Sequence, residues 1–163
     1  MEYCPIMKCS AIQDIAIVPV RISQTASSVR DESIRGITEK SRQFVCAFDT
    51  GATTSMISSR VAKELAFKMM DTKLVAVCPT GVQRENTCKF NVLFPNNLLL
   101  INQYAMITNS AIDVLIGMDI IKNFDFSIFV REEYYYVSLA PRNHLDITRT
   151  SHSLDLQQRI VSE

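Results

Sequence analysis

Several kinds of chemistry find little to work with in this sequence. Its two histidines, His144 and His152, stand near no GxSxG pattern and pair with no cysteine, so serine or cysteine hydrolase chemistry lacks an anchor. The five cysteines, Cys4, Cys9, Cys46, Cys78 and Cys88, include no CxxC pair and lie far from the histidines. An odd count argues against a fully paired disulfide framework, and no ligand set for structural zinc is present. No metal and no cofactor is expected. Reduced thiols in an intracellular setting are the expectation instead, with Cys46 as a small core residue.

Charge of one sign is also missing. Lys plus Arg is 17 and Asp plus Glu is 17, so there is no basic excess of the kind that holds nucleic acid. No apolar run approaches the roughly 20 residues that cross a bilayer. The N-terminal MEYCPIMKCSAIQDIAIV lacks the basic start and unbroken apolar stretch of a signal peptide. A soluble cytoplasmic protein with no membrane partner is expected. Glycine is scarce too. The four, Gly36, Gly51, Gly81 and Gly117, each fall at a break between predicted elements, where the backbone needs positive φ or close approach.

What is present is core-forming material. The chain has 163 residues, 47% hydrophobic and 21% charged, enough for one domain with a tail. The β-branched run DIAIVPVRI over residues 14–22 predicts a strand, with Pro19 at an edge or a bulge. Residues 23–42 are polar and predict a long surface loop or a hairpin around Arg35-Gly36. A second strand is predicted over 43–48. TSMISSRVAKELAF, residues 54–67, predicts a short helix capped by Ser58 or Ser59, with Arg60, Lys63 and Glu64 on its solvated face. KLVAVC (73–78) and NTCKFNVLF (86–94) predict a hairpin around PTGVQRE. LLLINQYAMI (98–107) and IDVLI (112–116) predict two more strands, MDIIKNF one or two helical turns, and FDFSIFV with YYYVSLA a closing strand pair. Tyr134, Tyr135 and Tyr136 alternate faces there as packing residues, and Met69 and Met70 fill gaps. SLDLQQRIV (153–161) predicts a short amphipathic helix in a polar tail. The organisation expected is an N-terminal segment at 1–12, a domain at 13–139 and a C-terminal tail at 140–163. Many short strands with few helices indicate an all-β barrel or sandwich.

Two stretches carry chemistry. In FVCAFDTGAT, residues 44–53, an apolar strand ends in a carboxylate, Asp49, followed by Thr50 and Gly51. Taken alone, Asp-Thr-Gly is most often a turn held by side-chain hydrogen bonds. The second stretch is DVLIGMDII, residues 113–121, where Leu115 and Ile116 precede Gly117 and a helical turn. The order is apolar strand, DTGAT, helix, glycine-tipped hairpin, strand, aliphatic-aliphatic-Gly and helical turn.

Taken together, these stretches resemble the retropepsin-like aspartic proteases, the single-domain relatives of pepsin, over roughly residues 13–138. FDTGATTSMIS looks like their active-site loop, VLIGMDII like the segment that supports it, and PTGVQ stands where the family has its flap. The resemblance implies a closed acid-protease β-barrel with one or two short helices, acting as a homodimer. Only one Asp-Thr-Gly is present, and neither Asp113 nor Asp119 is followed by Thr-Gly or Ser-Gly. Each protomer would therefore contribute Asp49 to one dyad on a two-fold axis. The dyad would activate a water to hydrolyse a peptide bond in an extended polypeptide. Thr50 resembles the threonine that locks the two loops across the axis, and Thr80, Gly81 and Val82 would form the flap tip. Ala52 stands where pepsin-like enzymes have a serine or threonine, which implies a mildly acidic to near-neutral working range. A dimerisation or peptide-binding module with little proteolysis is the alternative. The polar stretch at 23–42 and the tail beyond 139 are longer than the retroviral pattern, which leaves the dimer contacts outside the DTG loops open.

Overall fold

A computed structural model describes residues 6–12, 15–25, 40–78 and 81–142. The strands are β1 (Ile6–Ile12), β2 (Ile15–Gln24), β3 (Arg42–Phe48), β4 (Met56–Ser58), β5 (Met70–Cys78), β6 (Gly81–Leu93), β7 (Leu99–Thr108), β8 (Val114–Ile116), β9 (Phe124–Arg131) and β10 (Tyr134–Pro141). Two short helices, α1 (Ser59–Glu64) and α2 (Met118–Ile121), follow β4 and β8.

Neighbour pairing runs β6-β7-β4-β8-β3-β2, and β2 pairs back onto β6. Six strands thus close into a barrel, the all-β architecture expected. Closure removes the edges that an open sheet would leave unpaired. β5 extends the barrel beyond β6, and β1, β10 and β9 extend it beyond β2. The ring is mixed, because β3 runs parallel to β8 and β4 parallel to β7.

Side-chain alternation makes the strands. Along β2, Ala16, Val18, Val20 and Ile22 point inward, the period-2 pattern of a half-buried strand. Pro19 pairs with Val45 of β3. On its other side β2 meets β1 only over Ile15–Ile17 and β6 only over Arg21–Gln24. Pro19 lies in the gap between those neighbours, a local edge where a missing N–H costs no ladder bond. Phe44, Cys46 and Phe48 of β3 join Phe90, Val92, Ile57, Val114, Ile116, Val137 and Leu139 in one core.

Three segments depart from the sequence reading. β1 was not anticipated. Met7 and Cys9 face the core while Ile6 and Lys8 are exposed, and the strand splits its pairing between β10 and β2. Residues 56–58, for which no strand was expected ahead of the helix capped by Ser58 or Ser59, form β4. They are wedged between β7 and β8, whose ladders override local helical preference. The helix starts only after Ser58, whose Oγ accepts the Val61 N–H at 3.3 Å, a standard N-cap. Ser23 and Gln24, read as loop, lengthen β2 and pair with β6. The Arg35-Gly36 turn and the 153–161 helix lie outside the described residues.

Candidate active site

β3 and β8 lie side by side in parallel, with Phe48 opposite Ile116. The next residue, Asp49, continues this ladder by donating its N–H to the Ile116 carbonyl at 3.0 Å. The chain then turns sharply. The Gly51 N–H donates to Asp49 Oδ1 at 2.8 Å, and the Ala52 N–H donates to the Asp49 carbonyl at 3.3 Å. A Cβ on Gly51 would stand 3.2 Å from that same Oδ1, so glycine lets the backbone close on the carboxylate. Asp49 and Ala52 are half-buried, and Thr50 and Gly51 are exposed. Among the described residues, Asp49 Oδ2 accepts no hydrogen bond.

The loop rests on the segment after β8. Leu115 and Ile116 are buried, and Leu115 also pairs with Met56 of β4. Gly117 is a point of backbone contact. A Cβ there would meet Thr54 C at 2.8 Å and the Ala52 and Thr54 carbonyl oxygens at 2.9 Å. The first N–H groups of α2 find carbonyls in the loop, Met118 N–H on Ala52 at 2.8 Å and Asp119 N–H on Thr53 at 3.2 Å. These orphan donors of a helix start are thereby satisfied.

Two residues that sequence reading did not assign hold this junction. The buried Ser55 donates its hydroxyl to Asp119 Oδ1 at 2.7 Å, and its N–H reaches both Asp119 oxygens at 3.0 Å. The same hydroxyl accepts the Gly117 N–H at 3.0 Å. One charged acceptor thus pins the DTG loop to the supporting strand through charge-assisted bonds. The available signal was the pairing of a serine after DTGATT with a carboxylate after LIGM, far apart in the chain. Asp113 makes a second tie. Its Oδ2 accepts the Val45 N–H at 3.1 Å, its carbonyl accepts the Ser58 N–H at 2.9 Å, and its Oδ1 takes the Arg60 guanidinium. That contact raises the Arg60 guanidinium above its usual range. Arg60 is exposed as expected, but it is paired rather than free.

Of the flap candidates, Gly81 and Val82 begin β6 and pair with Cys78 and Val77 of β5. Thr80 lies outside the described residues. The structure thus brings Asp49, Thr50, Gly51 and Ala52 together with Leu115, Ile116 and Gly117. Gly81 and Val82 stand on a separate hairpin. Among the described residues, no group of three His, Cys, Asp or Glu side chains gathers to hold a metal. No helix there is long and apolar enough to cross a membrane.

A closed barrel with an Asp-Thr-Gly turn docked on an aliphatic-aliphatic-Gly strand is the architecture of an acid-protease half. The chain belongs to the retroviral aspartyl protease family, whose sequence profile matches residues 23–141. A crystal structure of a retropepsin-like aspartic protease from Rickettsia conorii is similar over 83% of this chain and 91% of that one, with TM-score 0.51 and 11% identity. At that identity the likeness is one of fold. The retroviral protease-like domain of Ddi1 from Leishmania major aligns over 78% of this chain and 98% of its own, with TM-score 0.39 and 18% identity. A comparison with curated proteins gives no match.

Proposed function

We propose that this chain is an aspartic endopeptidase, active as a homodimer in which Asp49 of each protomer forms one catalytic pair. The observation that carries the reading is the state of Asp49. Its Oδ1 is fixed by the Gly51 N–H, while among the described residues Oδ2, on a half-buried loop, accepts no hydrogen bond. A turn residue that serves only the fold has no need of the Ser55-Asp119-Gly117 clamp beneath it.

Two carboxylates brought within about 3 Å cannot both ionise, so they share one proton. The ionised member takes a proton from a water held between them. The protonated member donates to the scissile carbonyl. Attack by water gives a tetrahedral diol, and its collapse passes a proton to the leaving amine. No covalent intermediate is required. The pair titrates as a unit, so neither Asp49 owns a step of the pH profile. Thr50, exposed at the loop tip, would meet its copy across the axis. The substrate would lie extended, taking main-chain hydrogen bonds from a flap built of Thr80, Gly81 and Val82. A reducing compartment, the cytoplasm, suits the buried free thiols of Cys9, Cys46 and Cys88.

The test is peptide-library cleavage with the chain and its Asp49→Asn variant, with molar mass followed on the same samples. Asn keeps the shape of the carboxylate but removes the base. Cleavage is expected to fall at least about 10²-fold, the scale of general acid–base catalysis, with the dimer retained. Undiminished cleavage by the variant would sink the assignment. Peptide binding by the wild-type chain without any cleavage would leave a binding module on the same fold.

A further inference from the structure

β9 is the outermost strand of the sheet, and among the described residues it pairs only with β10. Edges of this kind are usually short, charged or covered, because an unpaired row of N–H and C=O groups templates another strand. This one has eight residues, five of them apolar. Ile128, Phe129 and Val130 are 40%, 41% and 60% exposed. Phe126, Ile128 and Val130 share one side of the strand, the side of the buried Val137 and Leu139. That side starts at the catalytic loop, since the Phe126 ring lies 5.8 Å from the ring of Phe48, the residue before Asp49. From there it runs outward, uncovered among the described residues.

We infer that a second copy of this chain covers the edge, with β9 pairing antiparallel to its own counterpart about Ile128. The inference rests on the dyad reading and gives that dimer a surface and a register. Three constraints lead to it. A two-fold axis that pairs β9 antiparallel with its own copy stands perpendicular to the sheet, so both strands present Phe126, Ile128 and Val130 to the same side. Only registers that slip by two residues satisfy this, because a slip of one turns alternate side chains to the opposite face. Among those, centring on Ile128 sets Asp125 opposite Arg131 of the second copy, twice by symmetry. It also sets Phe126 opposite Val130. Centring on Phe129 would set Asp125 against Glu133, a like-charge pair, and centring on Ser127 would leave Arg131 facing Asn123. Opposite charges directly across a ladder stabilise it and like charges oppose it. The stretch DFSIFVR is thus self-complementary in charge in the register centred on Ile128, which also keeps Phe126, Ile128 and Val130 on one apolar face. Among the described residues of the single chain Asp125 pairs with Arg142 alone, at 3.2 Å, with both side chains largely exposed, a contact that costs little to exchange.

Analytical ultracentrifugation of the full chain tests the register. Asp125→Arg and Arg131→Asp should each weaken the dimer about tenfold. Combining them should restore it, because the pairs re-form with reversed sign. Oxidised Ile128→Cys should yield a disulfide-linked dimer, and Ser127→Cys should not, since only position 128 faces itself. Single changes that leave the dissociation constant unmoved, or a double change that fails to restore it, overturn the inference. So does a chain that dimerises only after residues 143–163 are removed, because the tail would then cover the edge. If Asp49→Asn still abolishes cleavage while these changes do nothing, the dyad stands and the surface is wrong. A chain that neither cleaves nor self-associates at any concentration overturns both.

Discussion

Gly51 lies in the Asp-Thr-Gly turn and Gly117 in the segment beneath it, and their surroundings predict different failures. A Cβ on Gly117 would press on three backbone atoms of the opposing loop within 2.9 Å. Backbone cannot rotate away, so the loop and β8 must separate. Gly117→Ala should cost about 1–3 kcal/mol, the range for overpacking a tight site, read as a lowered denaturation midpoint. A Cβ on Gly51 would touch only Asp49 Oδ1, at 3.2 Å. The carboxylate gives by a few tenths of an ångström, so the fold is little affected and the proposed reacting group is displaced. Gly51→Ala should leave stability within about 0.5 kcal/mol and lower kcat by roughly an order of magnitude, since small misplacements at a reacting centre are costly. Equal loss of stability in both variants would contradict this division. Asp119 and Ser55 show why part of the site stayed hidden in the sequence. Their hydrogen bonds join residues 64 positions apart, and nothing local to either residue marks the other as its partner.

At the scale of elements, β8 and the end of β3 were legible because burial on both faces, over Val114–Ile116 and over Cys46, Ala47 and Phe48, writes a continuous apolar run into the sequence. β4 was not, because three residues hold no periodicity and their strand state comes from neighbours on either side. β1 hid for a different reason. Its inward residues are a methionine and a cysteine, set between polar ones, rather than the β-branched residues that mark a strand. Cys9 of β1, Cys46 of β3 and Cys88 of β6 are buried free thiols, and their strands predict a pH response. Burial pushes the Cys9 thiol up to about 11 and that of Cys88 up to about 12, and raises Cys46 as well. In the unfolded chain these thiols ionise near the ordinary value of 9.0. Their burial is therefore without penalty below about pH 9. Above it the unfolded chain releases protons that the fold retains, and stability falls until the folded thiols themselves ionise. The loss should approach about 1.4 kcal/mol per pH unit for each thiol. Urea denaturation at pH 7, 9 and 10 measures it. Cys88→Ala should lower the slope while costing stability at every pH through the space it leaves. An unchanged slope would mean that Cys88 does not contribute.

At the scale of the whole molecule, the proposed dyad would make activity a property of pairs of chains. A chain with both carboxylates in itself would be indifferent to an inactive neighbour. Under that reading a chain whose partner carries Asp49→Asn would have only half of its catalytic pair, while its β9 edge and its barrel would remain intact. Free exchange assigns partners in proportion to their abundance, because a two-fold interface presents the same surface from both sides. A tenfold excess of the Asp49→Asn chain should therefore leave only about one wild-type chain in eleven with a competent partner, and the cleavage rate should fall about tenfold at fixed wild-type concentration. Saturating substrate removes competition by the inactive dimers, and incubation before assay allows exchange. Adding the Asp49→Asn chain with its dimer edge also disabled, by Asp125→Arg, should poison the wild-type chain much less. The comparison separates loss of the second carboxylate from any general effect of added protein. A cleavage rate that ignores the excess altogether would place both acid and base within one chain and remove the dyad.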